Sequence, residues 1–203
     1  MKPEEERACV ERARDDPHAF VHLYDHYFPR VHDYVRYRVS DRQDAEDVIA
    51  EVFLKAMREL PRFEWHHRNS FAAWLFRIAH NLVVDFYRGR EQDAVVRASP
   101  EHLSDAALQH AVPLTSRAPQ PEQALARQEA FDRMRALVTT LSPRRQEVVT
   151  LRFFAGLRNK EIAHVLDLDE RTIASHLSRG LRDLRDRYAA QQTSWQVLEE
   201  VTI

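Results

Sequence analysis

The sequence predicts an all-α protein in which two helical domains are joined by a flexible linker. Three observations lead there. Glycine is scarce, at 3 of 203 residues, and β-branched runs are few, which disfavours sandwiches and Rossmann-type sheets. Apolar residues recur at three- and four-residue spacing through two long zones, the pattern of a helix with one buried face. Between those zones, residues 91–121 carry Pro100, Pro113, Pro119 and Pro121 with few aromatics, the composition of a tether. The expected units are 1–90, the linker 91–121, a second helical unit 122–188 and a tail 189–203. A short helix is expected in the linker near SDAALQHA.

Composition narrows the function. The formal net charge is -2, so any grip on nucleic acid has to come from a local basic face. Cys9 is the single cysteine, which excludes an internal disulfide and fits a reducing cytoplasm. No run approaches the ~18 apolar residues of a membrane span. The charged start, MKPEEERACVERARDD, does not read as a signal peptide. Walker, GxSxG and HExxH patterns are absent, so neither an enzyme, a cofactor nor a small-molecule substrate is expected.

In the first zone, Phe20, Leu23, Tyr24, Tyr27 and Val31 form an apolar stripe. His18, His22 and His26 share another face at a spacing of four, which suits zinc. No further ligand completes such a site, so a solvated face is expected and no metal. In DRQDAEDVIAEVFLKAMRELPRF, Asp41 caps a helix that buries Ile49, Val52, Phe53, Ala56, Met57 and Leu60. Asp44, Asp47 and Glu51 project elsewhere as an acidic stripe, either plain solvated surface or a fit for a basic protein partner. In NSFAAWLFRIAHNLVVDFYRGR, Phe71, Trp74, Leu75, Ile78, Leu82 and Phe86 form the apolar stripe. Arg77, His80, Asn81, Asp85, Arg88 and Arg90 lie mostly away from it. Together with the preceding FEWHHRNS, that polar face suits unstacked bases, which stack on rings and hydrogen-bond at their edges. An ordinary polar face on a buried aromatic helix fits the pattern equally well.

The second zone ends in EIAHVLDLDERTIASHLSRGLRDLR, which reads as a helix-turn-helix. Asp169 is a good N-cap, and Glu170 favours the first turn through the helix dipole. Ile173, Leu177, Leu181 and Leu184 are expected as one buried stripe. Opposite it lie Arg171, Ser175, Ser178, Arg179 and Arg182, the donors that base edges and phosphates need. The plain alternative is a helical hairpin with a solvated arginine face. Upstream, Ser142-Pro143 marks a helix start, and Leu141, Val148, Val149, Leu151 and Phe153 are expected to cover the hairpin.

Four segments in this order resemble the bacterial RNA polymerase sigma factors of the extracytoplasmic-function group, within the sigma-70 family. They are AFVHLYDHYFPRV, DAEDVIAEVFLKAM, FAAWLFRIAHNLVVDFYR and LSPRRQEVVTLRFFAGLRNKEIAHVLDLDERTIASHLSRGLRDLR. The resemblance implies that 1–90 is sigma region 2 and 122–188 sigma region 4. It implies core polymerase as partner, through the clamp of the largest subunit and the flap of the second-largest, with Asp44, Asp47 and Glu51 at the docking positions. It implies minus-10 contacts from His66, His67, Arg68, Asn69, Arg77, His80, Asn81 and Arg88, with a base held out of the non-template strand. It implies minus-35 contacts from Arg171, Thr172, Ser175, Ser178, Arg179 and Arg182. An anti-sigma factor is a further implied partner.

The chain departs from the family pattern at Ala174, His176, Gly180 and Asp167. The first two stand where basic residues are common, so the minus-35 preference is expected to differ. Two other classes stay open on the sequence. One is a stand-alone helix-turn-helix regulator of the quorum or response-regulator type, which would have a strand-containing domain upstream. The other is a metal-sensing or interaction module built on the histidine helix.

Overall fold

The structure is a computed structural model that describes residues 1–65, 70–96 and 133–201. The expected linker helix near SDAALQHA lies outside the described residues. Among the described residues there are helices and turns and no strand.

The first unit is built from four helices. Helix α1 (Pro3–Asp15) starts on proline with Glu4, Glu5 and Glu6 in its first turn, and buries Val10 and Ala13. Helix α2 (Phe20–Arg38) buries Phe20, Leu23, Tyr27, Val31, Tyr34, Val35 and Tyr37. Helix α3 (Arg42–Glu59) is capped as expected, the Asp41 carboxylate accepting from the Asp44 amide at 3.0 Å. Helix α4 (Phe71–Val96) begins where the Ser70 hydroxyl accepts from the Ala73 amide at 3.1 Å, and it runs beyond the expected boundary at 90. Its buried arc is wider than the expected stripe. Ala72, Ala73, Phe76, Ala79 and Val83 are buried along with Phe71, Leu75 and Ile78. The arc is wide because α4 packs on three other helices, α2, α3 and α7 (Asn159–Leu166).

The second unit comprises α5 (residues 133–139), α6 (Pro143–Phe153), α7 and α8 (Glu170–Val201). Helix α8 continues through most of the expected separate tail. Its buried line corrects the expected one: Ile173, Leu177, Gly180 and Leu184 face inward, and Leu181 is 37% exposed. Seven residues beyond Ile173 the helix comes back to within about 20° of the buried line, whereas eight residues overshoot it by about 80°. Gly180 is therefore a packing position. A β-carbon there would stand 3.1 Å from Val149 Cγ2 of α6. Gly180→Leu is expected to push α6 and α8 apart and cost about 1–3 kcal/mol by overpacking, read as a lowered thermal midpoint.

Three further expected core residues are corrected. Tyr24 and Met57 lie at the surface, and Phe153 is 58% exposed. Phe154 turns inward instead, against the cluster of Tyr37, Val138, Leu141 and Val149.

The two units pack on each other. One apolar cluster runs from Val10 of α1 through α2, α3 and α4 to Val148, Leu151, Ile162, Val165 and Ile173 of the second unit. Several polar links cross this contact. Arg30 of α2 donates from Nε to the Ala155 carbonyl at 2.8 Å, and the Ser70 hydroxyl donates to Glu161 of α7 at 2.6 Å.

Candidate nucleic-acid interface

Local chemistry builds the start of α8. The α7–α8 turn passes through Asp167 at φ 54, ψ 49, the left-handed conformation that aspartate tolerates better than most side chains. Asp167 is one of the departures from the family pattern, and the turn still closes: the Leu168 amide donates to the Ala163 carbonyl at 2.9 Å. Asp169 then caps α8, accepting from the Thr172 amide at 2.8 Å and from the Thr172 hydroxyl. The Thr172 hydroxyl and amide together hold the Asp169 carboxyl below its usual range. With that end fixed, Arg171, Ser175, Ser178, Arg179 and Arg182 all stand exposed along one side. Thr172 is half-buried, because its polar groups serve the cap. Ala174 is exposed beside this row and His176 half-buried.

The polar face of α4 divides in two. Arg77, Asn81 and Arg88 are exposed. His80 is half-buried, 3.4 Å from the Tyr34 hydroxyl. Burial pulls its pKa down, opposed by Glu147 of α6 and reinforced by Arg38, Arg144 and Arg77. His66, His67, Arg68 and Asn69 lie outside the described residues.

The acidic stripe on α3 is also uneven. Asp47 is exposed. Asp44 is half-buried and pairs with Arg90 of α4 at 2.6 Å, while Glu51 lies 3.8 Å from Arg58. The histidine row brings His18 and His22 beside Arg12, Asp15 and Asp16 in a shallow surface depression. Among the described residues no group of three or more His, Cys, Asp or Glu side chains is placed to hold a metal ion.

Nothing in the sequence marks the residues that join the two units. Tyr37 is 1% exposed, stacks on Phe154 with ring centroids 4.6 Å apart, and donates to the Arg135 carbonyl at 3.2 Å. The Arg38–Glu147 pair, at 3.9 Å, crosses the same contact. Glu161 is bonded on both sides, by Ser70 from α4 and by the Arg158 amide at 2.8 Å from its own helix start. Burial pushes its carboxyl up, and the Ser70 and Arg158 donors outweigh that and hold it below its usual range. Glutamate three residues after the start of α7 is a legible capping signal. Its bond to Ser70 is not, since nothing periodic links positions so far apart in sequence.

The description Sigma-70 region 2 matches residues 23–92, and Sigma-70, region 4 matches residues 131–184. The RNA polymerase sigma-H factor of Pseudomonas aeruginosa is 30% identical over 185 residues, covering 88% of this chain and 91% of that protein. The chain belongs to the RNA polymerase sigma factors, in the extracytoplasmic-function group of the sigma-70 family. The ECF RNA polymerase sigma factor BldN of Streptomyces coelicolor is 34% identical over 176 residues; the alignment covers 86% of this chain and 62% of BldN. The structure of CnrH in complex with the cytosolic domain of CnrY shares the fold, with a TM-score of 0.66 at 22% identity, over 91% of this chain and 97% of that one. So does the sigma factor RpoE in complex with the anti-sigma factor NepR from Bartonella quintana, with a TM-score of 0.60 at 20% identity, over 82% and 94%.

As a sigma factor the chain directs promoter-specific transcription, and the stand-alone regulator is not favoured. That reading required strands upstream of the helix-turn-helix, where this chain carries the helices of region 2. No described helix is long and apolar enough to cross a membrane.

Proposed function

We propose that the three faces divide promoter recognition among them. The exposed row on α8 reads the minus-35 element in the major groove, where Arg171, Arg179 and Arg182 reach base edges or phosphates and Ser175 and Ser178 donate or accept. Arg77, Asn81 and Arg88 on α4, with His66, His67, Arg68 and Asn69 before it, contact the opened minus-10 strand. A captured base offsets the few kcal/mol that unstacking costs. Asp47, flanked by Asp44 and Glu51, docks on the polymerase clamp, and region 4 meets the flap. The work is binding and strand capture in the cytoplasm, with no covalent step.

The observation that carries this reading is the α8 row: five polar side chains exposed on one side of a helix whose start is fixed by the Asp169 cap. An anti-sigma factor is the natural regulator, since both fold relatives named above were solved bound to a partner.

The test is reconstitution with core polymerase and transcription from a genomic library. Specific start sites are expected, and none would refute the assignment. Asp47→Lys reverses a charge at an exposed position away from the core. It is expected to weaken polymerase binding about tenfold or more while leaving the helical circular dichroism unchanged.

A further inference from the structure

The outward face of α8 has a second edge beside its row of arginines and serines. Glu170, Ala174 and Ser178 are exposed at steps of four. The first two, with Asp169, Arg171 and Asn159 from the start of α7, line a surface depression. In helix-turn-helix docking the first residues of the second helix are the ones that meet base edges.

The two carboxylates at this end differ in what they are free to do. Asp169 is committed to the cap, where it accepts from the Thr172 amide and hydroxyl. Glu170 is the first residue of α8 and has no hydrogen-bond or ion-pair partner among the described residues. Ala174 lies one turn on, where the family commonly has a basic residue. A lysine there would pair with Glu170 across four residues and neutralise it. With alanine, the Glu170 carboxylate stays open to a donor on another molecule.

A carboxylate only accepts hydrogen bonds, and most of what the major groove offers is acceptor or phosphate. Cytosine is the exception, since its N4 amino group is the sole polar group it shows there. Guanine in the same place would turn N7 and O6, both acceptors, toward the carboxylate and leave all three unpaired. Adenine donates from N6 but sets the N7 acceptor beside it. The Ala174 methyl offers no polar group, and its complement in the groove is the thymine methyl. One helical turn is about 5.4 Å and one base-pair step about 3.4 Å, so the two side chains stand one or two base pairs apart.

We propose that Glu170 and Ala174 form a base-reading pair at the leading end of α8: Glu170 selects a cytosine through N4, and Ala174 favours a thymine one or two base pairs away. The inference rests on the minus-35 reading of α8 and names the bases that its first turn prefers. The plainer duty of Glu170, offsetting the helix dipole, would leave base preference untouched.

The experiment uses the full chain reconstituted with core polymerase. A promoter found by genomic-library transcription is randomised across its minus-35 element, and the bound duplexes are sequenced. Wild type is expected to enrich cytosine about tenfold at one position, with thymine one or two base pairs from it. Glu170→Gln keeps the side-chain shape and is expected to move that one position to adenine, whose N6 and N7 a glutamine amide pairs bidentately. Ala174→Lys is expected to lose the thymine preference and to weaken that for cytosine. Preferences unchanged at every position in Glu170→Gln, with wild-type helical content, would overturn the proposal. So would uniformly tighter binding of that variant to all sequences, the mark of a carboxylate that only repels phosphate. A thymine preference that survives Ala174→Lys would overturn the part given to Ala174. Failure of the wider reading looks different: wild type would then enrich nothing at any randomised position.

Discussion

Phe76→Ala is expected to cost about 3–5 kcal/mol of stability, the largest effect of any single truncation considered. The Phe76 ring is fully buried, meets Tyr34 edge-on at 5.7 Å, and lies under the Arg30 guanidinium at 5.5 Å. Truncation removes the buried area, leaves a cavity between α2 and α4, and takes away the ring that holds Arg30 in place. Against a typical total of about 5–15 kcal/mol, that removes a large part of the margin of stability. Thermal or urea unfolding would show it, with a fall in midpoint of roughly 10 °C for a chain of this size. Phe153→Ala is the control. That ring is 58% exposed, and its loss should change stability by less than about 0.5 kcal/mol.

The second large effect concerns readout. Arg179→Ala is expected to remove about 1–3 kcal/mol of discrimination at one minus-35 position, roughly 5- to 150-fold in relative affinity. Arg179 is exposed mid-row on α8, on the face proposed to meet the minus-35 element, and its side chain has no role in the core. Competition of promoter variants for the reconstituted holoenzyme would measure it. Relaxed preference at one base is the expected result. Uniform weakening across all sequences would reassign Arg179 to a phosphate.

What the sequence revealed was what repeats along a helix. The caps at Asp41 and Asp169, the helix class and the outward row on α8 all follow from local spacing, and each is present in the structure. Elsewhere tertiary contact overrides the helical period. Phe76 falls outside the expected α4 stripe yet is buried, because that helix packs on region 4 as well as on its own bundle and a single stripe understates its buried arc. Gly180 has no apolar side chain to signal burial, yet it holds the buried position assigned to Leu181. Tyr37 and Phe154 look like ordinary aromatics in sequence. Only the folded chain stacks them, more than a hundred positions apart. The candidate site was legible as a set of faces. Its internal differences were not, because burial of His80 by Tyr34 and pairing of Asp44 with Arg90 are events between helices.

The Asp169 cap has an ionic consequence. A bare helix N-terminus draws phosphate with its free amides and its dipole. Here a carboxylate already occupies that end and accepts from the Thr172 amide, so a backbone phosphate would meet negative charge. In the proposed reading of α8, phosphate contact then falls to Arg171 and Arg182, with Arg179 at a base edge. Two neutralised phosphates would release only about two condensed counterions, a small gain from mixing ions back into bulk solution. Under that proposal, region 4 alone is expected to bind DNA weakly and to depend on a larger assembly to carry it there.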